Sequence, residues 1–299
     1  MVERKTIPEL IFDGINILLL GFLALIFTYP MIHVLMASFS DPIRLLTHIG
    51  PMFTPKGFSI EGYKIVLKNP NILSGYKNTL IYISFGTALN IFMTSLGAYV
   101  LSRRNLMCRK VLTIGIVFTM YFSGGLIPNF LLVRNLGMLN TRWAIIIPGA
   151  ISTWNMIVMK TAFQQVPASL EESAKIDGAN DFVILFRIIL PVAKATLAVM
   201  ILFYAVGRWN AWFNAMIYLR NRELWPLQLL LREILIVNAV GSGNTVGAEV
   251  VLEDTGGVFL LQELVKYCTI IIATVPILFA YPFAQRYFMK GVMLGSLKE

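Results

Sequence analysis

Between Arg208 and Asn214 the chain reads RWNAWFN, which places amide and aromatic side chains together inside an otherwise apolar segment. Amide groups pair with hydroxyls, and aromatic faces stack on the axial hydrogens of sugar rings. Asn210 and Asn214 are four residues apart, so a continuous helix would place them on one face, with Trp209 and Phe213 as the neighbouring stripe. These residue types favour a path for carbohydrate. An interfacial aromatic belt with asparagines that bridge helices is the alternative.

Other polar residues lie in long apolar stretches, where a side chain that faces lipid is strongly unfavourable. We therefore expect them to point into a helix bundle or into a water-filled path. Together with the aromatic cluster they form the candidate pathway set: Asn90, Thr94, Asn155, Trp209, Asn210, Trp212, Phe213 and Asn214.

A charged stretch over residues 166–191 separates two apolar segments and reads VPASLEESAKIDGANDFVILFRIILP. Ser169 and Glu172 have the spacing of a capping box, which predicts the start of a helix. Glycine readily adopts the left-handed conformation that ends helices, so Gly178 predicts its end. The pattern indicates a short helix over residues 170–177 that faces water.

Asn180 is suited to cap a second helix that begins at Asp181. Its apolar residues recur at helical spacing and predict one buried face: Phe182, Leu185, Phe186 and Ile189. The first helix is only about 12 Å long and is marginal in water by itself, so it requires a docking surface.

This elbow resembles the EAA signature of the membrane-spanning subunits of ATP-binding-cassette (ABC) importers. The similarity lies in Glu172-Ser173-Ala174, in Gly178 after three intervening residues, and in the IILP run at 188–191. Ser173 departs from the more usual alanine by a change between small residues. The run SLEESAKIDGA is similar to the version in sugar-importing permeases, as are GRWNAWFNAMIYL and the segment FSGGLIPNFLLVRNLGMLNTRWAIIIPGAIS. The resemblance implies that the first helix is a coupling helix that docks on a cytoplasmic ATPase. The implied coupling residues are Glu171, Glu172, Ser173, Ala174, Asp177, Gly178, Ile188, Leu190 and Pro191.

The composition excludes an ordinary soluble domain, because 57% of the 299 residues are hydrophobic and the mean hydropathy is +0.72. The net charge of +9 is scattered between apolar runs, which favours lipid headgroups over nucleic acid as its partner. Runs long enough to cross a bilayer predict six spans in one transmembrane domain over residues 1–299. The predicted spans are 14–37, 79–101, 111–133, 143–163, 192–218 and 267–288.

Basic residues orient these spans. Arg103, Arg104, Arg109 and Lys110 crowd the second connection, which the positive-inside rule assigns to the cytoplasm. Six spans then place both termini in the cytoplasm of an inner-membrane protein, and the elbow falls on the same side.

The two long outer segments are then residues 38–78 and 219–266. The first contains a short apolar stretch, Gly62–Leu67, that predicts a surface helix. The second contains an amphipathic stretch, Pro226–Asn238, and a glycine-rich run that ends at Gly247. The glycine-rich run is not preceded by a strand and the chain has no GK dipeptide, so we do not expect a nucleotide site. A solvent-exposed loop and a contact with a soluble binding protein are both open for it.

No paired carboxylates, HExxH motif or Ser-His arrangement lies in the predicted spans, so we expect no catalytic residues, metal site or cofactor in this chain. The resemblance implies the type I ABC importer permease fold, an all-α membrane protein. It also implies a second homologous permease, two ATPase subunits that hold ATP and Mg²⁺, an extracytoplasmic solute-binding protein and a carbohydrate substrate. An ABC permease for another solute is the nearest alternative. An ion-coupled secondary transporter would need acidic residues at mid-membrane, and the six predicted cores carry none.

Overall fold

The computed structural model describes residues 6–103, 105–240, 263–279, 281, 282 and 285. In this part of the chain there is no β-strand, only one isolated bridge between Ser40 and Phe58. The predicted all-α architecture is therefore confirmed for the described residues. The glycine-rich run at 241–247 lies outside them.

The helices are numbered here in chain order. They are α1 (Ile7–Ser38), α2 (Pro42–Thr47), α3 (Glu61–Lys68), α4 (Pro70–Ser102), α5 (Arg109–Tyr121), α6 (Leu126–Asn135), α7 (Trp143–Ile146), α8 (Thr153–Gln164), α9 (Ala168–Ile176), α10 (Asp181–Val192), α11 (Lys194–Trp209), α12 (Phe213–Tyr218) and α13 (Leu227–Val240). A further helix covers residues 263–279.

Within the described residues, only α1 and α4 are each long and apolar enough to cross a membrane alone. Two bent pairs meet the same criterion together: α5 with α6, bent by 108°, and α10 with α11, bent by 90°. Helix length and composition thus give two to four spans in this part of the chain, and not the predicted six. The first two predicted spans correspond to α1 and α4, although α4 begins at Pro70, inside the predicted outer segment.

The predicted continuous spans at 111–133, 143–163 and 192–218 are each interrupted. The first two breaks coincide with Gly124-Gly125 and with Pro148-Gly149, residues that weaken a helix or remove an amide donor. In the third, α11 ends and the amide Nδ2 of Asn210 donates to the Val206 carbonyl at 3.1 Å. The Asn210 side chain thus supplies a hydrogen bond to a carbonyl in the last turn of the helix.

By contact clustering the chain forms two compact units, and the first comprises residues 1–69 and 233–274. In it α3 confirms the surface helix predicted at Gly62–Leu67. A Cβ added at Gly62 would lie 2.6 Å from the Sγ of Cys268 and 2.7 Å from the Cγ of Leu264, so only glycine fits this close approach. The Tyr63 hydroxyl forms a 2.8 Å hydrogen bond with Ser38 Oγ in the same unit.

The second unit comprises residues 70–232 and 275–299, and α4 is its central helix. α4 packs mainly against α8 and α11. Its buried face carries small and polar residues at nearly every fourth position, among them Tyr82, Gly86, Asn90, Thr94 and Ala98. Small and polar residues are typical of contacts between membrane helices, where they allow close approach and hydrogen bonding.

We predict that Gly75→Ala destabilises this unit. The new Cβ would lie 2.6 Å from Leu230 Cδ1 and 3.2 Å from the Leu227 Cα, and overpacking of this kind costs about 1–3 kcal/mol. Gly115→Ala is the matched control, because no atom lies within 4 Å of its Cβ and alanine favours a helix. The measurement is the thermal unfolding midpoint of the detergent-solubilised complex. An equal shift for both variants would contradict the close approach at Gly75.

Candidate functional site

The end of α9 forms a Schellman motif. The Ala179 amide donates to the Ala174 carbonyl at 2.9 Å, and the Gly178 amide donates to the Lys175 carbonyl at 3.0 Å. Gly178 has φ +82°, in the left-handed region that other residues adopt only with strain. The helix end predicted at Gly178 is confirmed.

The start of α9 differs from the prediction. The N-cap residue is Pro167, and Ser169 already lies within the helix, where its carbonyl accepts from the Ser173 hydroxyl at 2.8 Å. A capping box requires a non-helical serine, so the box predicted between Ser169 and Glu172 is wrong. The first helix of the elbow therefore covers residues 168–176 in place of the predicted 170–177.

Asn180 caps the second helix as predicted, since its side-chain oxygen accepts from the Val183 amide at 2.9 Å. The buried face predicted for that helix is correct for Leu185 and Ile189 and wrong for Phe182 and Phe186. The reason is that Ile184–Ile189 is π-helical, so each turn contains more residues than in an α-helix. Ile184, Leu185 and Ile189 are buried, whereas 62% of Phe182 and 42% of Phe186 are exposed.

The elbow packs on the C-terminal end of α4 and its neighbours. Ala174 is buried in the same apolar cluster as Ala98, Leu185 and Leu190, and Ile188 packs against that cluster. Burial of a small residue in the middle of α9 lets the helix approach the bundle closely. The docking surface that the short helix requires is thus provided by its own chain.

Polar contacts at the same place hold the elbow in register. Arg103, just after α4, forms an ion pair with Glu171, which also accepts from Lys175 Nζ at 2.9 Å. The Tyr99 hydroxyl donates to Asp181 at 3.1 Å, and the Arg103 guanidinium lies 4.5 Å from the centre of the Tyr99 ring. Partial burial lowers the pKa of Arg103, and the nearby negative groups act in the opposite direction. Both helices of the elbow are therefore tied to the end of α4.

Much of α9 around its buried Ala174 is exposed and partly apolar. Ile176 is 86% exposed and Leu170 is 42% exposed, at the two ends of the helix. Of the predicted coupling residues, Glu172, Ser173, Asp177, Gly178 and Pro191 are exposed. The elbow thus combines a braced inner face with an open outer face.

A cavity of about 330 Å³ lies further along α4, between α4, α11 and the segment that joins α7 to α8. Its lining combines amides, hydroxyls, aromatic rings and one cation. The lining residues are Tyr82, Asn90, Ile145, Gly149, Ser152, Asn155, Phe203, Tyr204, Gly207, Arg208, Ala211, Asn214, Ala215 and Pro226.

Arg208 is the charged residue of this lining. Its Nε donates to the Asn90 side-chain oxygen at 2.8 Å, and its terminal nitrogens donate to the carbonyls of Ile145 at 3.0 Å and Ile146 at 3.1 Å. Asn90 in turn donates to the Gly149 carbonyl. The guanidinium therefore joins α4 and α11 to the end of α7.

The cavity brings together three of the predicted pathway residues, Asn90, Asn155 and Asn214. Thr94 is buried just behind it, and its hydroxyl forms a 2.7 Å hydrogen bond with the cavity residue Tyr204. Trp209 is buried near Tyr76.

The remaining pathway candidates lie away from this cavity. Asn210 is exposed and bonded to its own helix. Phe213 is 44% exposed, and Trp212 packs on the Arg232 guanidinium, 3.2 Å from the ring centre. The break between α11 and α12 separates Asn210 from Asn214, so the single face predicted for them is wrong.

The candidate pathway set leaves out Tyr82, Tyr204 and Arg208, although Arg208 is the first residue of the RWNAWFN cluster from which part of the set is taken. Arg208 could have been found from sequence, because an ionisable residue inside an apolar run is a functional candidate by default. The two tyrosines carry no such signal, since tyrosine is common in membrane proteins at many depths.

The class of protein to which this chain belongs follows from its match to a family model. Residues 79–219, which include most of α4, the elbow and α12, match the model "Binding-protein-dependent transport system inner membrane component". The chain belongs to this family, whose members are components of transport systems in the inner membrane. A multi-pass protein of the inner membrane agrees with the apolar helices described above.

Particular relatives cover nearly the whole chain. The polygalacturonan/rhamnogalacturonan transport system permease protein YtcP of Bacillus subtilis is 42% identical over 95% of this chain and 98% of its own. Protein LplC of Bacillus subtilis is 39% identical over 96% of this chain and 95% of its own. A solved bacterial ABC transporter involved in the import of the acidic polysaccharide alginate has a chain that is 34% identical, with a TM-score of 0.84. The match covers 96% of this chain and 100% of that one.

We predict that Glu171→Gln loosens α9 from the bundle. The change removes the charge that Arg103 and Lys175 both contact, and partly exposed ion pairs contribute roughly 1 kcal/mol. Hydrogen exchange of the α9 amides should therefore become several times faster. Glu172→Gln is the matched control, because Glu172 lies on the exposed face. If the α9 amides exchanged equally fast in the two variants, Glu171 would not be the residue that holds α9 on the bundle.

Proposed function

We propose that this chain is the transmembrane permease subunit of an ATP-driven, binding-protein-dependent carbohydrate importer. The observation that supports this most directly is that one helix, α4, carries both functional regions. Its cytoplasmic end holds the elbow through Arg103 and Tyr99, and its middle lines the cavity through Tyr82 and Asn90. A single rigid element therefore joins the surface that receives a partner's motion to the space that would admit a solute.

Carbohydrate is the proposed substrate class because of the cavity chemistry. Amides, hydroxyls and aromatic rings together suit hydroxyl-rich rings. The names of the relatives agree, since two of the three proteins compared are described as importing or transporting polysaccharides or their fragments. Within the predicted pathway set, we propose Asn90, Asn155 and Asn214 as the residues that face the solute, with Thr94 positioning Tyr204.

In this proposal the exposed face of α9 docks on a cytoplasmic ATPase subunit. Leu170 and Ile176 supply apolar contacts at either end, and Glu172, Ser173 and Asp177 supply polar ones. ATP and Mg²⁺ are bound by two partner ATPase subunits, and their closure moves the elbow as a lever. A homologous second permease completes the pathway, which alternates between inward-open and outward-open states. An extracytoplasmic binding protein delivers the solute.

The proposed topology keeps six spans with both termini in the cytoplasm. It counts α7 with α8 as one interrupted span and assigns the last span to the segment that begins near residue 267. Arg109 at the start of α5 and Lys175 on α9 lie on the cytoplasmic side in this arrangement, as the positive-inside rule requires.

The test of the proposed function is uptake by proteoliposomes that contain the complete complex and its binding protein. A labelled oligosaccharide should accumulate only with ATP inside, where the ATPase subunits lie. Uptake that continues without ATP but responds to a proton or sodium gradient would overturn the proposal in favour of a secondary transporter. ATP-dependent uptake confined to a solute that is not a sugar would overturn the substrate class alone.

We predict a graded loss of coupling at Gly178. Alanine can adopt φ +82° at a cost of about 1–2 kcal/mol, whereas proline is restricted to φ near −65° and also loses the bond to the Lys175 carbonyl. Uptake per ATP hydrolysed should therefore fall from wild type to Gly178→Ala and further to Gly178→Pro. Assembly is checked by co-purification of the ATPase subunits. Wild-type transport by Gly178→Pro would remove the coupling role from this elbow.

We also predict that two asparagines four residues apart differ in their effect on transport. Asn214 lines the cavity, so Asn214→Ala should raise the KM for uptake several-fold by removing a hydrogen-bonding group, a change of roughly 1 kcal/mol. Asn210→Ala is the matched control and should leave KM close to wild type, because its amide bonds to Val206 within the same helix. If Asn210→Ala raised KM more than Asn214→Ala did, the solute pathway would have to lie on the exposed side of α11.

A further inference from the structure

Arg208 brings a positive charge into a cavity whose other lining residues are all neutral. An ionised side chain within a membrane protein normally pairs with an opposite charge or faces water, because its desolvation is costly. The three partners of this guanidinium are an amide oxygen and two backbone carbonyls, and none carries a compensating charge. Among the described residues, the cavity lining contains no Asp or Glu.

The structure also makes room for arginine at this position. A Cβ added at Gly86, on the facing side of α4, would overlap the guanidinium carbon and Nε of Arg208, so a larger residue there would displace the group. Gly207, next to Arg208, faces open space, with no atom within 4 Å of its hypothetical Cβ. The guanidinium is thus held on one side by α4, and the cavity is open beside it.

The hydrogen bonds of Arg208 leave capacity for a ligand. A guanidinium has five N–H groups, and the bonds to Asn90, Ile145 and Ile146 account for three of them. Arginine suits carboxylates because its planar group donates paired, charge-assisted hydrogen bonds. The surrounding amides and hydroxyls of Asn155, Tyr82 and Ser152 would meet the hydroxyls of the same ligand.

We propose that Arg208 is a specificity-determining residue that selects saccharides carrying a carboxylate, such as chains of uronic acid units. This inference rests on the proposed function and adds to it the charge of the substrate and the group that recognises it. The carboxylate supplies the missing negative charge when the solute is in the cavity. A neutral sugar of the same size lacks this interaction and passes less favourably.

The test compares a charged and a neutral trisaccharide with the same sugar backbone: trigalacturonic acid and its fully methyl-esterified form. Uptake of each is measured in proteoliposomes that contain the complete complex and its binding protein. For each trisaccharide, uptake by wild type and by the variant is measured with the same binding protein. The ratio of the two uptake rates therefore reports only the effect of the substitution in the permease. Removing a charge-assisted hydrogen bond should reduce uptake of the acid by Arg208→Gln about tenfold or more. Uptake of the ester should change much less, and Arg208→Lys should retain an intermediate preference for the acid.

Asn214→Asp provides a second variant that leaves Arg208 and its three bonds in place. It adds a fixed carboxylate to the cavity lining and removes one amide donor for either probe, so uptake of the acid should fall several-fold more than uptake of the ester. This variant and Arg208→Lys decide the question if Arg208→Gln does not assemble. An equal loss for both probes in the Arg208 variants would show that the residue only positions α7 and would overturn the proposal.

The outcomes separate this inference from the proposed function. If the wild-type complex imports the ester with ATP, and the Arg208 variants import the acid as well as wild type does, the proposed charge selectivity is overturned. The proposed carbohydrate importer is then unaffected. If the wild-type complex imports no saccharide with ATP, the proposed function fails and the inference fails with it. If Arg208 instead pairs with a carboxylate of the second permease, Arg208→Gln should fail to assemble. Arg208→Lys should then affect uptake of the two probes equally, which would overturn the proposal.

Discussion

A backbone amide or carbonyl inside a bilayer has to find its hydrogen-bond partner within the protein, and this constraint governs how the helices of the second unit are arranged. Several of these helices are broken, so their exposed carbonyls and amides depend on side chains from α4 and α11. Asn90 and Arg208 bond to carbonyls between Ile145 and Gly149. On the same principle Asn78 bonds to the Glu223 carbonyl at 2.5 Å. Broken segments are stable here because α4 remains continuous and supplies polar groups along one face.

This dependence explains why polar residues in the apolar runs could be found from sequence but not assigned a role. Asn90 and Thr94 were correctly predicted to point inward, because lipid contact is unfavourable for either. Sequence alone cannot show whether such a residue meets a solute or the end of a broken helix. Asn90 lines the cavity and also holds Arg208, whereas Asn210 bonds only within its own helix among the contacts described. The distinction is set by where neighbouring helices break, which is a property of the tertiary structure.

Local signals were predictable where one residue determines the backbone, and they failed where packing does. Gly178 and Asn180 act within four residues of themselves, and both were placed correctly. The capping box at Ser169 failed because Pro167 starts the helix earlier. The apolar face of α10 failed because its π-helical turns bury Ile184 together with Leu185 and Ile189 against the bundle. A 3.6-residue period cannot anticipate such a change, since it arises from contacts with α4 and α8.

The continuity of α4 has a mechanical consequence for transport. From Asn90 in the cavity to Arg103 at the elbow there are thirteen residues, or about 20 Å along a helix axis. Over that distance the backbone hydrogen bonds of α4 are unbroken up to Ser102, whereas α10 and α11 meet at a 90° bend. In the proposed mechanism, a displacement of the elbow is absorbed more easily by the bend than by α4, because a sharp kink in a regular helix requires a break in its hydrogen-bond ladder. We therefore expect motion received at Glu171 to reach Asn90 through α4, and to reach Arg208 through its bond to Asn90. The same contacts that satisfy the broken helices would then carry movement from the elbow to the cavity.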